Sequence, residues 1–302
     1  MVDAIVLAGT DKKRLINGEN KAFLKIDGRY VIDYVIDALK SAKTIEKIAI
    51  VGPEEKIKEI NNKADKKIIA LKEKGSFLEN AVCAYDELSK IKKDDYTFFI
   101  TGDIPLITKK AISNFIMDCS HPSNKGADVY FPIIEKESIG EYNELKRPYV
   151  KLKEGEYRIS NFVLMNAEKI KNTEWIGKIF KGRKLITSSA RLKLLYYFPD
   201  IFWKYFISKD LTLDYIENRA SDAIGAKIRL IETKYPETTL DIDNEKDYEY
   251  VRSIMLSNIY KKSEKKTAKN LNGLNEIVIR DKINRSNSVN GKNYNSSKEI
   301  FR

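Results

Sequence analysis

The sequence predicts an α/β protein of three layers, with a mainly parallel sheet between helices, and three observations carry that prediction. Short continuous apolar runs end at glycine or at a polar turn, as strands buried on both faces do. Stretches with apolar residues at helical spacing separate these runs, and the two kinds alternate through the first half of the chain. Right-handed crossovers between parallel strands then place helices on both faces.

In order, Ala4-Ile5-Val6-Leu7-Ala8 is the first buried run, closed by Gly9. Val31, Tyr34, Val35 and Ala38 recur at helical spacing through Leu39. Ile48-Ala49-Ile50-Val51 stops at Gly52-Pro53, and Ile68-Ile69-Ala70-Leu71 precedes a helical stretch from Phe77 to Ile91. Thr97-Phe98-Phe99-Ile100-Thr101 is a fourth run, stopped by Gly102. Beyond residue 120 the pattern loosens. Val129–Ile134 and Tyr149–Leu152 read as strands near an edge, because Pro132 cannot donate to a central ladder. Phe162–Met165 reads as a core strand. Trp175 to Asp222 is helical and bulky, with Phe202, Trp203, Tyr205 and Phe206, and reads as a helical insertion over about 174–222 that packs on the sheet; an acceptor-binding lid or a dimer surface is the alternative. Lys227–Glu232 returns to strand, and Asn244–Tyr260 closes with a helix.

Of the 302 residues 42% are hydrophobic and 33% charged, too apolar for a disordered chain. No run of 18 uncharged apolar residues occurs, so no membrane span is expected. Asp3 interrupts the opening apolar run and no basic segment precedes it, so the expected setting is the cytoplasm. Two cysteines, Cys83 and Cys119, offer neither a disulfide framework nor zinc spacing. His121 is the only histidine, which argues against a His-rich metal site and a Ser-His-Asp triad. The net charge of +11 first points to nucleic acid, but residues 261–302 hold 11 Lys and Arg against 4 Asp and Glu, a surplus of seven. That segment also carries 8 Asn and 5 Ser and reads as a disordered tail, so residues 1–260 form the expected domain and no specific nucleic acid is expected.

Ligands of parallel α/β sheets bind outside the carboxyl ends of the strands, and the unusual residues lie at those ends. Leu7-Ala8-Gly9-Thr10 makes a small-residue turn whose backbone N–H groups suit phosphate, followed by the cations Lys12, Lys13, Arg14 and Lys21. An ordinary loop with solvated lysines fits the same residues, which match neither the Walker nor the Rossmann pattern. Asp103, in Gly102-Asp103-Ile104-Pro105, is a carboxylate on a stiff turn and suits Mg²⁺, or serves as a cap for the helix starting near Thr108. Asp241 and Asp243 flank Ile242, so strand alternation turns both to one side, where one of them completes a metal site with Asp103; alternatively Asp243 or Asn244 caps the last helix.

Taken together, these segments resemble the MobA-like NTP transferases. The family's opening Leu-Ala-Gly-Gly loop reads Leu7-Ala8-Gly9-Thr10 here, its basic residue is Arg14, and its lysine stands in Lys21-Ala22-Phe23-Leu24. Gly102-Asp103-Ile104-Pro105 matches the mid-domain motif, and Asp241-Ile242-Asp243-Asn244-Glu245-Lys246-Asp247 the closing one. Gly75-Ser76-Phe77-Leu78-Glu79-Asn80 and the pair Arg147-Pro148-Tyr149-Val150 and Arg158-Ile159-Ser160-Asn161 resemble a poorly characterised bacterial branch. Thr10 replaces a loop glycine, and Ile159-Ser160 stand where that branch has Gly-Gly.

The resemblance implies a GT-A-like, Rossmann-like fold and an Mg²⁺- or Mn²⁺-dependent transfer of a nucleotidyl group from an NTP to a phosphorylated small-molecule acceptor, with release of pyrophosphate. Carried onto this chain, Asp103, Asp241 and Asp243 are metal ligands, and Lys21, Arg14 and Asp103 are catalytic. Leu7, Ala8, Gly9, Thr10, Ser76, Asn80 and Gly102 contact the nucleotide, and Asn161 the acceptor. A homodimer is compatible with it. Two other readings share the residues: a regulatory NTP-binding protein with an altered site, which Thr10, Ile159 and Ser160 favour, and a GT-A glycosyltransferase, which usually carries two carboxylates where Gly102-Asp103-Ile104-Pro105 offers one.

Overall fold

The computed structural model describes residues 1–10, 15–61, 67–91, 95–142, 145, 147–170, 196 and 198–261. Strand β1 (Val2–Leu7) leads through a 3₁₀ turn at Lys21–Phe23 and the small ribbon β2 (Lys25–Ile26) and β3 (Arg29–Tyr30) into helix α1 (Val31–Ser41). There follow β4 (Ile45–Gly52), α2 (Glu54–Asn61), β5 (Ile68–Lys72), α3 (Phe77–Ser89), β6 (Tyr96–Thr101) and α4 (Lys109–Ser120). The second half contributes β7 (Val129–Glu135), β8 (Val150–Lys151), β9 (Glu156–Ile159), β10 (Phe162–Asn166), α5 (Pro199–Phe202), a π turn at Trp203–Ser208, α6 (Leu213–Ile224), β11 (Ile228–Glu232) and a terminal helix α7 over 245–261. Among the described residues no helix is long and apolar enough to cross a membrane.

The sheet runs β5-β4-β1-β6-β10-β7-β9-β8, with β11 also on β7. Strands β1, β4, β5, β6, β7, β8 and β11 point one way, and β9 and β10 run against them, giving a mixed, mostly parallel sheet. Alternation along β1 assigns the two faces: Ala4 and Val6 join the layer under α1, α2 and α4, whereas Ile5 and Leu7 join the layer under α3 and α6. The three layers expected from the sequence are therefore present. Chain contacts divide the protein into a unit Met1–Val251, which holds the sheet, and a unit Arg252–Arg302, of which residues 252–261 are helical.

Local chemistry explains the boundaries. Ser76 caps α3 with its hydroxyl on the Glu79 N–H at 3.3 Å, and Glu79 returns a bond to the Ser76 N–H at 2.7 Å, a complete capping box. Thr108, not Asp103, caps α4 by accepting from the Ala111 N–H. Asn244 accepts from the Asp247 N–H at 3.0 Å at the start of α7, which settles the capping alternative for Asp243.

One sequence expectation about the sheet needs correction. Strand β7 is interior to the sheet, not near its edge: β10 and β9 pair with successive parts of it, and β11 pairs with Val129 to Ile133. Pro132 is tolerated because it falls where pairing switches from β10 to β9, and its carbonyl still accepts the Ser160 N–H at 2.9 Å. Strand β9 lies in a stretch to which the sequence assigns no element. The edge expectation for Val150–Lys151 holds, since β8 ends the strand order. Residues 174–195 and 197 of the expected insertion and 262–302 of the expected tail lie outside the described residues; α5, the π turn and α6 lie in the rest of the insertion.

Candidate active site

The candidate site grows from the point where the strand order reverses. The chain moves from β1 outward to β4 and β5, then crosses to β6 on the other side of β1, which opens a crevice at the carboxyl ends of β1 and β6. Backbone bonds tie the loops there into one floor: Ala8 N–H to Val51, Gly102 N–H to Leu7 and Glu73 N–H to Gly52. A side chain at Gly102 would stand 3.1 Å from the Cβ of Ala22 and 3.2 Å from that of Ala8, so glycine there lets the β6 turn close on the first loop. Asn20 fixes that loop, donating to the Ala8 carbonyl at 3.0 Å while accepting from the Ala22 N–H at 3.0 Å.

Three chain-distant segments meet over this floor. The Lys21 ammonium lies 2.8 Å from Asp103 Oδ2 and 2.8 Å from Asp243 Oδ1. The Asp103 carbonyl accepts the Ile242 N–H at 3.1 Å, which pins the Asp241–Asp243 segment against the β6 turn. Fully buried Ile242 anchors the segment, so Asp241 and Asp243 both turn to the crevice, as alternation predicts. Arg147 holds the segment from beyond: one guanidinium nitrogen donates to the Asp241 carbonyl at 2.6 Å and to Asp247 Oδ2 at 2.7 Å, the other to Asp243 at 3.4 Å. Arg158 donates to Asp241 Oδ1 at 3.3 Å. Buried Asp247 also accepts from the Asp243 N–H, closing a turn that presents both carboxylates.

The electrostatics follow. Burial lowers the Lys21 pKa, but Asp103 and Asp243 together outweigh it and raise it above the ordinary lysine value. Burial, then the Asp243 and Asp103 charges, push Asp241 well above the usual carboxylate range against the pull of Arg147 and Arg158. Burial opposes ionisation of Asp243 too, yet the Lys21 ammonium holds it below that range. Burial lowers Arg158, with Asp241 opposing.

The sequence candidates distribute clearly. Leu7, Ala8, Gly9, Thr10, Lys21, Gly102, Asp103, Asp241 and Asp243 converge on the crevice. The buried Asn80 side chain reaches it at Gly9, where an added side chain would stand 3.0 Å from the Asn80 amide nitrogen. Ser76 uses its hydroxyl as the α3 cap. Asn161 neighbours the β6 end, its carbonyl accepting from the Thr101 N–H at 3.4 Å. Arg14 lies outside the described residues. Arg147, Arg158, Asp247, Asn20 and Glu73 were not assigned roles from the sequence; the partners of Arg147, Arg158 and Glu73 at the site lie 63 or more residues away along the chain, too distant for spacing to reveal.

Several buried polar atoms here have no partner among the described residues: Thr101 Oγ1, Asp103 Oδ1, Asn161 Nδ2, Arg147 Nε and Arg158 Nη1. Such atoms cost about 1–3 kcal/mol each unless something binds them. Among the described residues no group of three or more His, Cys, Asp or Glu is arranged to hold a metal alone. Mg²⁺ does not require one, since it takes one or two carboxylates and completes its shell with water and substrate phosphate. The open Asp103 oxygen and the mutually repelling Asp241 and Asp243 fit that donor set.

A family model described as the MobA-like NTP transferase domain matches residues 4–168. A 2-C-methyl-D-erythritol 4-phosphate cytidylyltransferase of Clostridium beijerinckii is 32% identical over 117 residues, 37% of this chain and 51% of that enzyme. The chain thus spans about half the length of that curated relative. A hypothetical transferase of Thermus thermophilus is 26% identical with a TM-score of 0.63, covering 82% of this chain and 98% of its own. A CMP:2-keto-3-deoxy-manno-octonic acid synthetase, 15% identical with a TM-score of 0.55 over 85% of this chain and 98% of its own, shares the fold.

Proposed function

Because the chain belongs to the MobA-like NTP transferase family, we propose that it transfers a nucleoside monophosphate from an NTP to a phosphorylated small molecule, using Mg²⁺ or Mn²⁺. One observation carries this reading: Lys21, Asp103 and Asp243, from three remote segments, meet within 2.8 Å contacts at the carboxyl ends of β1 and β6. An acceptor phosphate oxygen attacks the α-phosphorus, the bond from that phosphorus to the bridging oxygen breaks, and pyrophosphate leaves with the bond's electron pair. Such a displacement asks the protein for positioning and charge neutralisation rather than covalent chemistry, in keeping with a single histidine, His121, that caps the C-terminal end of α4.

Asp103 and one of Asp241 and Asp243 would hold the metal, which when bound neutralises charge on the phosphate oxygens. Lys21 donates to the α-phosphate as its charge develops, and the family resemblance assigns Arg14 to the departing pyrophosphate. The Leu7–Thr10 backbone and Asn80 orient the nucleotide, with Ser76 and Gly102 supporting that wall. Arg147 and Asp247 position the two carboxylates. Asn161 Nδ2 and Arg158 Nη1, donors left without partners, suit an anionic acceptor.

The test is a pyrophosphate-release screen of the four NTPs, with Mg²⁺, against pooled phosphorylated metabolites. One NTP–acceptor pair is expected to release pyrophosphate, with Asp103→Ala lowering the rate at least about a hundredfold. Turnover of nucleotide-sugars with none of NTPs overturns the reading.

A further inference from the structure

The crevice of the protein without ligands is filled by its own charges. The Lys21 ammonium sits between Asp103 Oδ2 and Asp243 Oδ1, both at 2.8 Å, where a cation bridging these carboxylates would sit. On the facing wall a Glu73 carboxylate oxygen accepts the Thr10 backbone N–H at 2.6 Å, the position a phosphate oxygen would take in a backbone cradle. Asp103, only 9% exposed, keeps its other oxygen buried and without a partner among the described residues. The lysine is therefore a one-armed substitute: it reaches one oxygen of each carboxylate and leaves a buried acceptor unserved.

We propose that Lys21 is an internal counter-cation that blocks the metal position in the free protein and yields it only when an NTP phosphate takes up its ammonium. Lys21 is held by two carboxylates and has no reason to leave them for solvent. A divalent cation arriving alone must strand the ammonium in a pocket where Arg147 and Arg158 already stand. A triphosphate arriving with the cation gives Lys21 a new anionic partner, and Glu73 leaves the Thr10 N–H to the same group. Metal and nucleotide then bind together far better than either does singly. The inference rests on the nucleotidyl-transfer reading of the crevice.

Mn²⁺ alone, titrated without nucleotide and followed by the loss of the free-ion electron paramagnetic resonance signal, tests this directly. Lys21→Met is expected to bind Mn²⁺ at least about tenfold tighter than the wild type, because a cation competitor has gone. Lys21→Arg, which keeps the charge, is expected to stay within about twofold of wild type. Should Lys21→Met not fold, Lys21→Gln gives the same reading. Mn²⁺ affinity unchanged or weaker in the neutral variants, or raised equally in Lys21→Arg, overturns the proposal. Wild-type pyrophosphate release, assayed separately, distinguishes the two ideas: release with unchanged Mn²⁺ affinity keeps the transferase and discards the counter-cation. Tighter Mn²⁺ binding without any release does the reverse.

Discussion

Arg147 is the residue on which the candidate site's geometry turns. Its guanidinium meets Asp247 at 2.7 Å, Asp243 at 3.4 Å and the Asp241 carbonyl at 2.6 Å, with side-chain exposures of 14% for the arginine and 6% for Asp247. Removing one partner of such a buried pair leaves an uncompensated charge, at about 3–5 kcal/mol. Arg147→Ala is expected to lose stability on that scale in urea unfolding, and Arg147→Lys to lose less, since one ammonium keeps the charge but not the fork of donors. A loss below about 1 kcal/mol for Arg147→Ala would show that solvent screens the cluster. The same residue marks where the sequence stops being legible. Lys21, Asp103 and Asp241–Asp243 stand beside punctuation that a reader can see: a small-residue loop, a glycine closing a strand, an alternating acidic pair. Arg147 shows only in the resemblance of Arg147-Pro148-Tyr149-Val150, which gives it no partner, and its partners lie 94 and 100 residues downstream. Glu73 and Thr10 are 63 residues apart, and nothing in spacing joins them.

Elements were legible where the core dictates them and obscure where pairing does. Strands β1, β4 and β6 are largely buried on both faces and announce themselves as apolar runs, as does the half-buried edge strand β5. Strand β9, Glu156-Tyr157-Arg158-Ile159, is short and half polar because Arg158 must face the acidic turn while Tyr157 faces the cluster of Ile133, Leu152 and Leu211. Pro132 misled for a related reason: the exclusion of proline from central strands assumes a continuous partner, and β7 changes partners at that point. Helix α5 is joined to α6 by charge. Asp200 accepts from Arg219 at 2.5 and 3.2 Å and from the Tyr215 hydroxyl at 2.7 Å, and these bonds, Arg219 first, hold its carboxyl down at about 2. A depressed carboxylate contributes stability that is complete above its unfolded pKa of about 4 and lost as pH falls through the folded value. With both side chains about one-third exposed, screening leaves the pair about 1 kcal/mol. Asp200→Asn is therefore expected to be less stable than wild type by that amount at pH 6, the difference shrinking between pH 4 and pH 2. Urea unfolding of both proteins across this range checks it, and a difference constant down to pH 2.5 would sink it.

At the scale of the whole molecule, the crevice is a property of the folded chain alone. Asp103 and Asp243 are 140 positions apart and face each other only because β6 ends beside β1 and the segment before α7 is pinned to its turn. The unfolded chain has no such arrangement, so a ligand that needs it stabilises the native state by mass action, about 2.7 kcal/mol at a hundred times Kd. In a protein of this size that corresponds to a rise in Tm of about 4 °C. The shift is expected for one NTP with Mg²⁺ and to collapse when a chelator removes the metal, because the carboxylates would otherwise face triphosphate directly. Asp103→Ala, which deletes the open acceptor and one of the two partners of Lys21, is expected to abolish it. The pattern separates a glycosyltransferase from an NTP-binding protein without any assay of turnover, and pyrophosphate release separates the two NTP-binding readings. A regulatory NTP-binding protein gives the shift but no pyrophosphate, and a glycosyltransferase shifts with a nucleotide-sugar. A Tm raised equally by NTP with and without Mg²⁺ would mean that the acidic turn serves the fold and not the ligand.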